Sequence, residues 1–197
     1  MKSVELFEMS IRIGMQAMQQ NVVLLGFKSC GKSTVGRLLA ARSGCVFADV
    51  DRAIEELYFQ KTGKVSCCYD IYQEVGAPSF RLLEQETVSA LVQNHSGVIA
   101  CGGGAVLSEQ NVSLLREWGK MVYLKASSEV LKSRVFGAKL AGSRLPAFLD
   151  EGDPEGSFYE VLAKRELCYP AVADYTIDVS CQTPEQVVTH LLEMFRG

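Results

Sequence analysis

A short apolar run, Asn21-Val22-Val23-Leu24-Leu25, leads directly into Gly26-Phe27-Lys28-Ser29-Cys30-Gly31-Lys32-Ser33-Thr34. The second segment satisfies the phosphate-binding pattern G-x-x-x-x-G-K-[ST] at every required position. Nothing else in the chain constrains the fold as strongly. Glycines let the backbone curl until successive N–H groups point inward at a phosphate. The lysine adds a point charge near the outer phosphates, and the Ser33 hydroxyl suits Mg²⁺. Residues 34–41 follow with a helical pattern, and a helix N-terminus favours anions. A strand, a loop and a helix in that order predict a nucleoside triphosphate site built from Gly26, Phe27, Lys28, Ser29, Cys30, Gly31, Lys32, Ser33 and Thr34.

The remainder alternates in the same way. Five short apolar runs, 22–25, 45–50, 98–101, 121–124 and 175–179, read as buried parallel strands. Helical patterns fall at 32–42, 52–60, 79–93, 108–117, 128–136, 159–169 and 185–195. Thr183-Pro184-Glu185 opens the last with a capping hydroxyl and a proline at the first helical position. Alternating units of this kind predict an α/β fold, a parallel sheet covered by helices on both faces. At 197 residues one domain is expected, over 21–197, preceded by an N-terminal extension, 1–20, whose scattered apolar positions suit a short helix. Residues 137–157, rich in Gly, Ala, Asp and Pro, read as a long loop of the kind that closes over a reacting phosphate.

Composition excludes several classes of function. A net charge of −3 lacks the basic excess of a nucleic-acid footprint. No stretch approaches the roughly 18 apolar residues of a membrane span, and the first twenty residues lack a secretory h-region. A cytoplasmic protein without nucleic-acid or membrane partners is expected. The seven cysteines include no C-x-x-C pair, so neither a zinc site nor a disulfide framework is expected. Cys30 stands beside Lys32 at a helix N-terminus, where thiolate is favoured, and also reads simply as a tolerated loop position. His95 and His190 lie outside every motif.

Further residues suit a second, acidic substrate. Asp49 and Asp51 differ by two, so strand spacing would project both to one face at the carboxyl edge of the sheet, where ligands bind. One would sit near Mg²⁺ and the other would accept a proton from a hydroxyl. Arg81 and Glu84 are three apart on a helical pattern, suiting an arginine held by a carboxylate and aimed at an anion. Gly102-Gly103-Gly104 follows the third strand and permits very close backbone approach.

Taken in order, these elements resemble shikimate kinase, a small P-loop enzyme family related to the nucleoside monophosphate kinases. The resemblance runs from about Val22 to the C-terminus. It is carried by the phosphate loop, Asp49-Val50-Asp51, Phe80-Arg81-Leu82-Leu83-Glu84, Ala100-Cys101-Gly102-Gly103-Gly104-Ala105 and Lys164-Arg165-Glu166-Leu167-Cys168-Tyr169-Pro170-Ala171-Val172-Ala173-Asp174. It implies a three-layer α/β/α P-loop kinase fold with a five-stranded parallel sheet and a mobile lid. It also implies transfer of the γ-phosphoryl group of ATP to the 3-hydroxyl of shikimate, with Mg²⁺, by a monomer. In site residues it implies Asp51, Arg81, Gly102, Gly103, Gly104 and Arg165 at the substrate. Lys32, Asp51 and Arg144 would serve catalysis, Ser33 and Asp49 the metal, and Arg134, Arg144 and Gln182 would join the loop at ATP.

The chain departs from the family pattern at Ser29, where glycine is usual, and at Ala77, where a glutamate is usual. It also departs in the lid, where Arg144-Leu145-Pro146 replaces Arg-Pro. Two other readings stay open, a related kinase of an acidic polyol such as gluconate and a non-catalytic nucleotide-binding protein of the same fold.

Overall fold

The computed structural model describes residues 18, 20–140 and 142–195. Strand β1 (Val22–Leu25) lies at the centre of a five-stranded sheet of order β2-β3-β1-β4-β5. The other strands are β2 (Val46–Asp49), β3 (Gly97–Ala100), β4 (Lys120–Lys125) and β5 (Tyr175–Asp178), and every pairing is parallel. The whole of β1 and β3 is buried, so neither alternates apolar and polar residues. Val22 stands in register with Val98 on one side and Lys120 on the other. Asn21 secures that register at the amino edge. Its Oδ1 accepts from the Gly97 N–H at 2.8 Å, its Nδ2 donates to the Trp118 carbonyl at 3.0 Å, and its own carbonyl accepts from the Lys120 N–H at 2.9 Å.

Among the described residues seven α-helices connect and cover the strands, α1 (Lys32–Ser43), α2 (Val50–Thr62), α3 (Cys68–Asn94), α4 (Glu109–Trp118), α5 (Ser128–Leu140), α6 (Pro154–Val172) and α7 (Pro184–Met194). A 3-10 turn, Ala105–Leu107, follows β3. Helix α7 opens with the expected cap. Thr183 Oγ1 accepts from the Gln186 N–H, and the Gln186 side chain accepts from the Thr183 N–H at 2.8 Å. From β1 the order runs outward to β3 and β2 on one side and to β4 and β5 on the other. The crevice at the carboxyl end of β1 is therefore the place for ligands in an open parallel sheet.

Three expectations change. The helix expected at 79–93 is the second half of α3, which begins at Cys68 and breaks at Gly76 (φ 76°, ψ 165°). Gly76 and Pro78 act as a kink and a restart within one element, not as a loop. The loop expected at 137–157 is shorter, because Gly137 to Leu140 continue α5 and Pro154 to Ser157 open α6, leaving 141–153 as the connection. A side chain at Gly137 would meet nothing within 4 Å, so this residue breaks nothing, and Pro154 occupies a first-turn position that needs no N–H. Third, β2 ends at Asp49 and Asp51 lies in the first turn of α2, so the two aspartates do not share a strand face. Asp49 caps the helix instead, its Oδ1 accepting from the Asp51 N–H at 3.1 Å. The helix expected within residues 1–20 lies outside the described residues. Met18, which is described, packs against the core.

Candidate active site

The loop between β1 and α1 curls through two glycines of positive φ, Gly26 (143°) and Gly31 (110°). At Gly26 the requirement is also spatial, since a Cβ there would lie 2.7 Å from the Leu124 carbonyl oxygen of β4. Ser29 adopts φ 66°, the one left-handed residue other than glycine among those described. That conformation costs an L-residue roughly 1–2 kcal/mol. Lys32, nearly buried, reaches back into the loop and donates to the carbonyls of Gly26 at 2.9 Å and Phe27 at 2.8 Å. Its ammonium therefore sits where the backbone converges. Cys30 is buried beneath the loop, 3.8 Å from that ammonium.

Ser33 and Asp49 come together as the sequence led one to expect, by another route. Ser33 Oγ donates to Asp49 Oδ2 at 2.5 Å, while the other carboxylate oxygen caps α2. An oxygen-only pair at the head of α1 suits a hard divalent cation. On the outer side of the loop Arg134 donates from Nη1 to the carbonyls of Ser29 at 3.3 Å and Cys30 at 3.4 Å. Gln182 lies in the turn after β5, its amide donating to the Asp178 carbonyl at 2.5 Å. The Ser127 N–H donates to Ser180 Oγ at 2.9 Å, which sets that turn beside the start of α5, the helix that carries Arg134. Thr34 is exposed on α1.

On the other side of the loop lies a cavity of about 160 Å³, lined by Lys28, Asp51, Arg81, Glu84, Arg144 and Arg165 together with the three-glycine turn. The side chains of its wall explain the glycines. None of the three has a positive φ, so dihedral freedom is not the reason. A Cβ on Gly102 would come within 2.9 Å of Asp51 Oδ1 and 3.0 Å of Glu84 Oε1. On Gly103 it would lie 3.1 Å from Arg165 Nη1, and on Gly104 2.5 Å from Arg81 Nη2. Each glycine makes room for a different charged side chain. Tyr169 holds the turn from behind, its hydroxyl donating to the Gly103 carbonyl at 2.6 Å and its ring stacked on Tyr123 at 4.9 Å between centroids.

The two arginines are held differently. Arg81 Nη1 donates to Glu84 Oε2 at 2.6 Å, and Glu84 is 1% exposed. Burial pushes the Glu84 carboxyl up, and the Arg81 charge opposes that rise. Arg165 is 5% exposed, and its Nη1 has no hydrogen-bond partner. Burial lowers its pKa from the usual guanidinium value. Asp51 is pushed up by burial, and the nearby Lys28 charge pulls it back towards the ionised form. Cys68 Sγ donates to the Asp51 carbonyl at 3.1 Å, which fixes α2 against α3 at the cavity wall.

Two residues expected at ATP make their side-chain contacts away from the phosphate loop. Phe27 is buried with its ring edge-on to Phe148 and Phe158, at 5.8 and 5.5 Å, so only its backbone belongs to the phosphate loop. Arg144 pairs with Asp70 and lies over the Tyr69 ring, with its Cζ 5.0 Å from the centroid. Its hydrogen-bond partner is thus on α3, next to Tyr69 of the cavity wall, and not on the phosphate loop. The sequence reading missed three contributors, Cys68, Phe148 and Tyr169. Tyr169 falls within a motif quoted for Arg165, yet its spacing alone assigned it no task.

Residues 28–196 match the family model described as shikimate kinase. The chain belongs to the shikimate kinase family. A shikimate kinase of Geobacter sulfurreducens is 39% identical over 177 residues, covering 90% of this chain and 91% of the relative. Shikimate kinase 2 of Yersinia pseudotuberculosis is 34% identical, covering 91% of this chain and 98% of the relative. Among solved structures, shikimate kinase from Acinetobacter baumannii in complex with shikimate superposes with a TM-score of 0.77 at 28% identity, covering 93% and 96% of the two chains. The five-stranded parallel sheet with helices on both sides is the architecture of this family, and the chain is an ATP-dependent kinase with an alcohol acceptor. No helix among the described residues is long and apolar enough to cross a membrane.

Proposed function

We propose that the chain transfers the γ-phosphoryl group of ATP to the 3-hydroxyl of shikimate, as a monomer in the cytoplasm. The observation that carries the acceptor is the buried Arg165 with its unpartnered Nη1, facing the same glycine turn as Arg81. A buried guanidinium N–H without a partner is costly and calls for an anionic ligand. Two guanidinium groups suit a ring carboxylate, and Asp51 beside them suits ring hydroxyls. Phosphoryl transfer needs little covalent help, so in-line positioning and charge stabilisation carry the catalysis.

Within that scheme Lys32 neutralises charge on the transferring group from inside the loop. Asp51 orients the attacking hydroxyl and accepts its proton. Arg81 and Arg165 hold the carboxylate at the far end of the ring, and Gly102, Gly103 and Gly104 let the ring settle against backbone. Arg134 and Gln182 border the nucleotide base. Arg144 reaches the phosphates once it leaves Asp70, and the mobile lid that carries it shuts out water. Ser33 and Asp49 are the residues that would hold Mg²⁺, which when bound neutralises phosphate charge.

A coupled assay of ADP release with ATP and Mg²⁺ tests the reading, with shikimate, gluconate and nucleoside monophosphates as separate acceptors. Release with shikimate alone is expected. Release confined to gluconate overturns the acceptor, and ATP binding without turnover on any acceptor overturns catalysis.

A further inference from the structure

The contrast between the two arginines points to a residue that no motif marks. Arg81 is oriented by a carboxylate, which engages one of its guanidinium nitrogens. Arg165 forms no ion pair among the described residues. Its Cζ lies instead 4.3 Å from the centroid of the Phe148 ring and 5.5 Å from that of Phe27. The two rings are nearly perpendicular, 82° between planes, and touch each other at 5.8 Å between centroids. Aromatic rings attract a guanidinium through the π-face quadrupole, and most strongly where water is excluded. They restrain it without consuming its in-plane N–H donors, which a carboxylate would do. The unpartnered Nη1 is the donor left over by that arrangement.

The two rings come from different parts of the chain. Phe27 belongs to the phosphate loop, and Phe148 to the connection 141–153 between α5 and α6. Phe148 is seated by its neighbours, since the Leu149 N–H donates to the Pro146 carbonyl at 3.0 Å and Leu149 itself is buried. We infer that Phe148 is a positioning residue for the acceptor's carboxylate, setting the plane and donor direction of Arg165 from the lid segment. The inference rests on the acceptor reading above. It assigns to the lid a task at the far end of the acceptor, separate from anything its arginine does at the phosphate.

The test compares Phe148→Leu, an apolar side chain without a π-face, with Phe148→Tyr, which keeps one. Phe148→Met is the second truncation should leucine impair folding. For Phe148→Leu the shikimate KM is expected to rise roughly 5- to 30-fold, the range of a desolvated cation–π contact. The kcat and the KM for ATP should stay within about twofold. Phe148→Tyr should restore the shikimate KM. An equal rise in both KM values, or no rescue by tyrosine, would overturn the inference.

A second readout does not depend on turnover. The Arg165 side-chain Nε–H resonance, identified by its loss in Arg165→Lys, should carry a ring-current shift that disappears in Phe148→Leu and returns in Phe148→Tyr. If that resonance does not move, Phe148 does not set Arg165, whatever the kinetics. If it moves as expected while the wild-type enzyme ignores shikimate, the acceptor reading fails and the positioning role stands.

Discussion

The two halves of the site are built on opposite plans. The donor half centres on one unbroken segment, Gly26 to Thr34, with only Asp49, Arg134 and Gln182 added from elsewhere; its backbone does most of the work and its lysine already rests on the loop's own carbonyls. The acceptor half is assembled from the first turn of α2, the interiors of α3 and α6, the turn after β3, the lid segment and Lys28 of the phosphate loop, and almost all of its chemistry is in side chains. A backbone site is robust to sequence change outside a few fixed positions. A side-chain site depends on long-range packing to bring its members together, and one of them, Arg165, is left incompletely bonded.

If the two halves are as separable as they look, damage to one should spare the other. Lys32→Met should have the largest effect, lowering kcat by about three orders of magnitude, the scale of losing a charge aimed at the transition state. Shikimate affinity, measured by equilibrium titration, should barely change, and a parallel loss there would mean that the halves are coupled. Arg81→Ala should raise the shikimate KM by roughly 30- to 150-fold, the scale of removing a charged hydrogen bond of about 2–3 kcal/mol. Equal weakening of ATP in the same assay would break the separation. Gly104→Ala asks a finer question. Its Cβ would displace the Arg81 guanidinium, so the acceptor KM should rise by about tenfold, the cost of one modest polar contact. The melting temperature should hold, because no positive φ is involved. The smallest effect belongs to the donor side, where Ser29→Gly relieves a left-handed serine and should raise the melting temperature by about 2–4 °C. An unchanged or lowered value would show that the serine side chain contributes something the backbone cost conceals.

The same division explains what could be read in advance. The strands at 22–25, 98–101 and 121–124 announced themselves as short apolar runs because each is buried on both faces. The donor loop was legible because its physics is local, with every required residue inside nine consecutive positions. Arg81 and Glu84 were legible as a helical pair. Arg165 could not have been linked to Gly103 by spacing, because 62 positions separate them and only packing of α6 against the turn joins them. It came from family resemblance. Phe148 and Tyr169 were read by neither route, since one aromatic among many carries no sign of which charge it will face. The strand reading of Asp51 failed for a local reason. A carboxylate at Asp49 can cap a helix as readily as it can end a strand, and the cap prevailed.

One detail of the glycine turn has a consequence for ligand choice. The Gly103 carbonyl accepts from Tyr169, that of Gly102 from the Ala105 N–H at 3.1 Å, and that of Gly104 from the Leu107 N–H at 3.0 Å. All three carbonyl oxygens of the turn are thus already engaged by protein donors. An ammonium-bearing ring of the same size would find each of these three carbonyls already accepting from the protein, and only the Asp51 and Glu84 carboxylates of the cavity wall to pair with. The backbone of the turn therefore offers an amine no free acceptor, and the preference for a carboxylate at this floor is left to Arg81 and Arg165.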